Sequence, residues 1–337
     1  MKYIRIDNKM KIILSFIIIL IISIVVIIPS YNAYAWGFYA HKRINRLAVF
    51  TLPNELIAFY KRHIEFVTEH AIDPDKRRYA VDGEAPKHYI DIDHFSKDDP
   101  FGVMPRHWNA AVQKFSRDTL EAYGTLPWNL QLVLQNLTKA FREKNVFNIL
   151  RRSADLGHYV GDAHVPLHTT ENYNGHLTNQ KGIHAFWESR LPEIHADDYD
   201  YFVGKARYIS DPLEFTWKSI EESHAALDSV LSFEKNLNES FPADQKYSFE
   251  KRGLNTLKTY SREYSNEYHV MLDGMVERRM RRAIISIGCL WYTAWVNAGM
   301  PLLEEMKGTT IDQVEIEMAK EAEKWKKGNL KSRSHEH

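Results

Sequence analysis

The stretch His158-Tyr-Val-Gly-Asp-Ala-His-Val-Pro-Leu-His168 determines the fold and the chemistry expected of this chain. His158 and Asp162 are four residues apart at the end of a predicted helix, so both side chains project from one helix face. Pro166 cannot continue that helix, and His168 is therefore expected in the turn that follows. The stretch brings two imidazoles and a carboxylate together within a short length of chain.

A second histidine and carboxylate pair follows at His184 and Glu188, again with a spacing of four residues. A single histidine on a helix is usually a structural residue. Two such pairs on either side of His168 are instead the ligand set expected of a hydrolytic zinc centre that keeps positions open for water and substrate. The sequence therefore predicts a metal centre built from inward-facing helix residues.

Helical periodicity dominates the chain, and alternating strand patterns are nearly absent. This pattern predicts an all-α fold, a single multi-helix bundle domain over residues 36–308 with the metal cluster in a cleft. The charged segment 309–337 is expected to be a C-terminal tail on the surface. Helices are predicted near residues 53–70, 108–123, 128–142, 146–162, 212–231, 249–264 and 268–298, with a loop at 172–182 and a short helix from 183.

Residues 1–35 have the features of a secretory signal peptide. Basic residues precede an apolar run at 12–28, and Ala33-Tyr-Ala35 is a cleavage signal. An uncleaved anchor is the alternative, because a run of about seventeen apolar residues approaches the lower limit for spanning a bilayer. Cleavage would leave Trp36 as the first residue and would place the protein in the periplasm or the medium.

The composition limits the possible partners. The chain has 44 basic and 44 acidic residues, and loss of the basic leader leaves a slight acidic excess, which excludes a strongly basic surface for binding duplex nucleic acid. Bound metal ions are then the obvious source of positive charge for an anionic substrate. The single cysteine, Cys289, excludes an internal disulfide framework and is expected to be buried in a helix.

These motifs resemble the superfamily of bacterial zinc-dependent phospholipase C and the single-strand-specific zinc nucleases of fungi and plants. Members begin with a tryptophan whose amino group and carbonyl oxygen bind zinc, and here Trp36 and the nearby His41 match that opening. His88 matches the next family histidine. The aspartate before it is either Asp75, which has an arginine three residues later as the family does, or Asp73, which preserves one family spacing; we favour Asp75.

The resemblance implies three zinc ions per chain, sharing nine ligand residues. One ion would be held by Asp75, His88, His158 and Asp162, a second by His168, His184 and Glu188, and a third by the amine and carbonyl of Trp36, His41 and the other oxygen of Asp162. Asp91, three residues after His88, matches a family acid beside the site. With Asp75 it is a candidate catalytic carboxylate, and its alternative role is a contact to a metal ligand.

The activity implied by the resemblance is hydrolysis of phosphate esters by a metal-activated hydroxide. His164 and the run from Trp187 to Glu193 resemble the nuclease branch, whereas Glu188 resembles the phospholipase branch. Tyr89 is either a base-stacking residue or part of the core. The eukaryotic nucleases also carry disulfides, which one cysteine cannot supply.

We slightly favour cleavage of single-stranded nucleic acid or nucleotides over release of phospholipid headgroups. A metal-stabilised binding protein without turnover is a third alternative, although the ligand count leaves open positions. A monomer is expected, and no protein partner is indicated. The remaining histidines lack matching spacing and are interpreted as structural: His63, His70, His94, His107, His195, His224 and His269.

Overall fold

The computed structural model describes residues 37–78, 80–252, 255–303, 316, 318–320 and 323. The predicted signal peptide, its cleavage site and Trp36 lie outside the described residues, as does most of the predicted tail. The described chain is predominantly helical, which confirms the all-α class. Among the described residues, no helix combines the length and hydropathy needed to cross a bilayer.

The helices are numbered here in chain order. They are α1 (Gly37–Ala48), α2 (Asn54–Arg62), α3 (Ile64–Glu69), α4 (Asp73–Arg78), α5 (Ile92–Phe95), α6 (Pro100–Val103), α7 (Trp108–Phe115), α8 (Arg117–Tyr123), α9 (Leu126–Arg142), α10 (Val146–Asp162), α11 (Leu191–His195), α12 (Pro212–Ala225), α13 (Leu227–Ser240), α14 (Arg262–Met271) and α15 (Met275–Asn297). Shorter turns at Ala85–His88 and Pro166–Thr169 and a π-helical turn at Ala185–Arg190 carry residues of the predicted site.

Several predicted helices are divided in the structure. The predicted helix at 108–123 is interrupted at Ser116, whose φ of 69° lies in the left-handed region and whose hydroxyl accepts from the amide of Thr119 to start α8. The long helix predicted at 268–298 is interrupted at Asp273 and Gly274, which both have positive φ. The predictions at 53–70 and 212–231 likewise become two helices each, whereas those at 128–142 and 146–162 are confirmed as α9 and α10.

The helix predicted at 249–264 was wrong over most of its length. Strands β1 (Tyr247–Arg252) and β2 (Asn255–Tyr260) form an antiparallel hairpin there, with Phe249 opposite Lys258. Side chains of alternating character suit two paired strands, and Tyr260 stacks on Phe186 with ring centroids 3.8 Å apart. The hairpin is therefore attached to the turn that carries Glu188.

Helices α10 and α15 form the centre of the core. Trp291 of α15 is fully buried, stacks on Tyr60 at 4.7 Å, and donates a hydrogen bond to the carbonyl of Ser153 at 3.0 Å. Cys289 is buried in the same helix, as predicted. Two glycines of α10, Gly157 and Gly161, allow α1 to approach so closely that a Cβ at either position would clash with it. This approach brings α1 beside the end of α10 where the predicted ligands lie.

Candidate metal centre

The C-terminal end of α10 supplies the central pair of the site. His158 and Asp162 are almost completely buried, and Nε2 of His158 lies 3.3 Å from Oδ2 of Asp162. Nδ1 of His158 donates to the carbonyl oxygen of Ala71 at 2.8 Å, which leaves Nε2 with the lone pair. A backbone contact of this kind fixes the orientation and tautomer of a metal-binding imidazole.

A first group of ligand atoms gathers around His158. Oδ1 of Asp75, from α4, lies 3.6 Å from Nε2 of His158 and 3.7 Å from Nδ1 of His88. The same Nδ1 of His88 lies 3.0 Å from Nε2 of His158 and 3.0 Å from Oδ2 of Asp162. The turn Ala85–His88 therefore brings His88 to side chains of two other elements, and Asp75, His88 and His158 together could hold a metal ion.

A second group contains His168, His184 and Glu188. Nε2 of His184 lies 2.7 Å from Oε2 of Glu188 and 3.2 Å from Nε2 of His168. Nδ1 of His168 donates to the carbonyl of His88 at 2.5 Å, and Nδ1 of His184 donates to that of Tyr173 at 3.2 Å. Both imidazoles thus turn Nε2 towards Glu188, which lies in the π-helical turn; such turns are frequent at functional sites.

A third group contains His41, His158 and Asp162. Nε2 of His41 lies 3.4 Å from Oδ1 of Asp162 and 3.7 Å from Oε1 of Glu188, and its ring stacks on that of His158 at 4.0 Å. A Cβ placed on Gly37 would lie 3.4 Å from Oε1 of Glu188. The start of α1 therefore lies at the site, although the proposed ligand Trp36 is outside the described residues.

The geometry of the cluster fits zinc. Ligand-atom separations of 2.7 to 3.7 Å bracket the ~3.4 Å between adjacent ligands of a tetrahedral ion with bonds of about 2.1 Å. Among the residues that the structure describes, no lysine or arginine lies within ion-pair distance of Asp75, Asp162 or Glu188. Buried carboxylates need a counter-charge, and divalent ions held between them and neutral imidazoles would supply it.

The electrostatics of the cluster favour the ionised form of Asp162 and Glu188, whereas burial raises the pKa of Asp75. Burial raises the pKa of Glu188, but the imidazoles of His168 and His184 outweigh it and hold that pKa well below its usual range. Burial lowers the pKa of His168, whereas the charges of Asp162 and Glu188 raise it to about 9. His158 has a pKa well below its usual range because of burial and the nearby His41. A metal ion entering the second group must therefore displace a proton from His168.

The two candidate aspartates have different surroundings. Asp75 belongs to the first group, whereas Asp73 accepts from Nδ1 of His70 at 2.6 Å and from Lys76 at 2.9 Å. Burial raises the pKa of Asp73, but His70 and Lys76 lower it overall. The structure thus brings Asp75, and not Asp73, to the other predicted ligands.

Asp91 and Tyr89 are both buried beside the segment that carries His88. The backbone amide of Asp91 donates to the carbonyl of Tyr123 at 2.7 Å, and Asp91 belongs to none of the three ligand groups in the described chain. The hydroxyl of Tyr89 donates to the carbonyl of Ala122 at 3.5 Å. The roles assigned to Asp91 and Tyr89 stay predictions.

Arg78, the arginine three residues after Asp75, is a further functional candidate. Its side chain is buried; burial raises the pKa of Asp75 and the charge of Arg78 opposes that rise, while burial lowers the pKa of His184 and the charge of Arg78 adds to the lowering. Within the described chain, Nε of Arg78 has no hydrogen-bond partner. A guanidinium beside two ligand groups can bind a phosphate oxygen. In the sequence, its position three residues after Asp75 is the feature that could have identified it as a residue of the site.

His164, in contrast, is a structural histidine. Its Nδ1 donates to the carbonyl of Val160 at 2.7 Å, and burial together with Arg279 lowers its pKa to about 3. His224, predicted to be structural, contacts Thr169 through its Nδ1 at 3.0 Å. Neither imidazole belongs to the three ligand groups found among the described residues.

Fold and site together define an all-α protein with a buried cluster of histidines and carboxylates. No protein-family model and no curated protein sequence matches this chain. Among solved structures it is similar to Clostridium perfringens alpha-toxin isolated from an avian strain, with 13% sequence identity and a TM-score of 0.46. The similarity covers 79% of this chain and 65% of the toxin chain, less than two thirds of the latter.

Proposed function

We propose that this chain is a zinc-dependent phosphodiesterase. The observation that carries the proposal is the position of Asp162, whose two carboxylate oxygens face different histidines and join the first and third ligand groups. Zinc ions bound there would supply an activated water and neutralise charge on the phosphate group. Five histidines and three carboxylates are a donor set suited to zinc.

The exposure of the ligands supports an enzyme rather than a metal-stabilised binding protein. The side chain of Asp75 is 22% exposed and that of Glu188 is 11% exposed, so the cluster is accessible on one side. The second ligand group offers three side chains that it shares with no other group, which leaves a position for water or substrate, as in catalytic zinc sites. Arg78 would orient a phosphate oxygen next to Asp75 without itself binding metal.

For the substrate, we place phospholipid first and single-stranded nucleic acid or nucleotides second. Glu188 as the final ligand resembles the phospholipase branch, and the exposed hairpin described below is suited to a lipid surface. Nucleic acid was slightly favoured from His164 and the run from Trp187 to Glu193, with Tyr89 as a possible stacking residue; His164 and Tyr89 are both buried, which makes direct contact of either with a base less favourable. Export after cleavage before Trp36 and a monomeric state are further parts of the proposal.

The test is a comparison of substrates with metal analysis. Purified protein beginning at Trp36 is offered phosphatidylcholine, single-stranded DNA, RNA, a 3′-nucleotide and the soluble diester bis(4-nitrophenyl) phosphate. We expect about three zinc ions per chain and hydrolysis of the soluble diester and at least one natural substrate, with activity abolished by a chelator. A zinc content of one or less with undiminished activity would contradict the proposal.

A further inference from the structure

On one face of the hairpin of β1 and β2, the side chains from Phe249 to the turn are exposed, whereas Tyr260, which pairs with Tyr247 at the other end of this face, is buried. The outward side chains of this face on β1 are Tyr247, Phe249 and Lys251, and those on β2 are Thr256 and Lys258, all exposed. Phe249 is 74% exposed, although it is a large apolar residue. Aromatic rings and lysines alternate on this face, and it contains no acidic residue.

Glu250 on the opposite face and Tyr260 at the end of the Phe249 face both attach the hairpin to the turn that carries Glu188. Arg190, two residues after Glu188, pairs with both oxygens of Glu250, at 2.9 Å for one of them, and its Nε donates to the carbonyl of Tyr260 at 3.1 Å. Tyr260 also stacks on Phe186 of the same π-helical turn. The hairpin is thus held by the element that supplies a proposed metal ligand.

We propose that this hairpin binds an anionic phospholipid surface and positions the metal centre at it. The proposal deepens the phosphodiesterase activity proposed above by assigning a lipid surface to the same site. An interfacial element needs an apolar side chain for the acyl boundary and cations for the headgroups. Phe249 supplies the first, and Lys251 and Lys258 supply the second.

A lipid surface fits this hairpin better than a nucleic acid strand. Stacking of bases would use the ring faces on one side of the sheet. Here Leu257, which projects from the face opposite Phe249, is also 37% exposed, so both faces present an apolar side chain near the turn. The ring of Tyr247 is covered by Lys258, whose Nζ lies 4.1 Å from its centroid. Apolar groups on both faces suit insertion between headgroups.

The experiment measures vesicle binding and catalysis separately. Zinc-loaded protein is sedimented with vesicles of phosphatidylcholine and phosphatidylglycerol or of phosphatidylcholine alone, and hydrolysis of bis(4-nitrophenyl) phosphate is recorded in parallel. We expect binding to the mixed vesicles that weakens with salt. Phe249→Ala and Lys258→Glu should each lower the partition coefficient about tenfold and leave hydrolysis of the soluble diester unchanged.

Matched control variants distinguish binding through this face of the hairpin from nonspecific binding of exposed residues to vesicles. Phe202→Ala removes a phenylalanine that is 92% exposed on another segment, and Lys218→Glu reverses an exposed charge on α12; both should bind vesicles like the parent. Equal binding by parent and hairpin variants, or loss of single-stranded oligonucleotide binding instead, would overturn the proposal. Hairpin-dependent vesicle binding without diester hydrolysis would support it while refuting the proposed phosphodiesterase.

Discussion

Oδ2 of Asp162 lies 3.0 Å from Nδ1 of His88, while the other oxygen of the same carboxylate lies 3.4 Å from Nε2 of His41. One side chain therefore faces two ligand groups that come from different parts of the chain. The carboxylate is almost completely buried, and burial raises its pKa, but the surrounding imidazoles, His158 first, hold that pKa well below its usual range. It is therefore available as an anionic bridge.

Asp162→Asn tests this bridging role. The amide keeps the shape of the side chain but loses the charge and one acceptor oxygen, so two of the three ions should be lost or weakly held. We expect zinc analysis to give about one ion per chain and kcat to fall by at least about 100-fold. Asp73→Asn is the matched control, because Asp73 pairs with His70 outside the cluster, and it should keep its zinc. Similar zinc loss in both variants would refute the bridge.

A second prediction separates a ligand from a bystander of the same residue type. His184→Ala removes an imidazole 2.7 Å from Glu188 and should cost about one zinc ion and most of the activity. His224→Ala removes contacts with Thr169, at 3.0 and 3.2 Å, and an edge contact with the ring of Phe101. It should retain zinc and lose about 1 kcal/mol of stability. The two variants are compared by metal analysis and by thermal unfolding, and indistinguishable behaviour would remove the basis of the assignment.

A third prediction concerns the close packing of α1 on α10. A Cβ at Gly161 would lie 2.8 Å from Nδ1 of His41, so Gly161→Ala should displace this imidazole. Zinc affinity at the third group should fall about tenfold, with a stability loss of about 1 to 3 kcal/mol. Gly288→Ala is the control: its Cβ would meet Oγ1 of Thr51 in the core. It should destabilise the fold but keep the zinc, and equal zinc loss would indicate a general unfolding effect.

A fourth prediction follows from Glu84, which accepts from Lys87 at 2.7 Å, from Arg77 and from Tyr159 at the start of the His88 turn. Burial raises its pKa, but Arg77 and Lys87 outweigh this and lower it from 4.5 to about 2. Because the folded-state pKa is depressed, Glu84 stabilises the fold above about pH 4.5, and that contribution is lost as pH falls towards 2.

Glu84→Gln should therefore lower the free energy of unfolding by about 3 kcal/mol at pH 7. The difference from the parent should shrink as pH falls below 4.5, in urea titrations at several pH values. Glu121→Gln, which alters an exposed pair with Arg117, should change stability by less than about 0.5 kcal/mol. A constant difference across this pH range would show that the ionised form of Glu84 is not what stabilises the turn.

Helix interiors were predictable, whereas their interruptions were not. The apolar residues of α9 and α10 recur with the helical period because one face of each helix is buried, and this spacing indicates the bounds of both helices well. The break at Ser116 depends on a left-handed backbone conformation, which a serine does not predict. The hairpin was missed because its aromatic and lysine residues were fitted to a helical period. The alternation of Tyr247, Phe249 and Lys251, followed by a glycine, was the overlooked signal.

Local spacing predicted which side chains of the site come from one helix or turn, such as His184 with Glu188. It could not distinguish Asp75 from Asp73, because that difference depends on the partners His70 and Lys76 in the folded chain. The carbonyl of Ala71, which orients His158, is equally invisible in the sequence. Every residue has a backbone carbonyl, so the residue type does not indicate which carbonyl accepts a hydrogen bond. These contacts can be identified only from the tertiary structure.

The last prediction concerns the start of the mature chain. Gly37, the residue directly after Trp36, lies beside Glu188 and Asp75. A backbone nitrogen at position 36 can donate a lone pair to zinc only as a free amine, which exists only after the bond following Ala35 is cut. Removal of the signal peptide would then be a step in assembling the third site, as the resemblance implies for the opening tryptophan.

A protein carrying one extra residue before Trp36 retains every side-chain ligand but displaces the amine. It should bind about two zinc ions and lose much of its rate, because one ion that stabilises charge on the phosphate is missing. Trp36→Phe with a free amino terminus is the matched control and should be milder, since it keeps the nitrogen ligand. The measurement is zinc content and diester hydrolysis before and after a protease trims the extension. Trimming should restore the third ion and the activity together. A full complement of zinc and full activity in the untrimmed protein would show that the amine is not a ligand, and would again allow the apolar segment at 12–28 to be an uncleaved anchor.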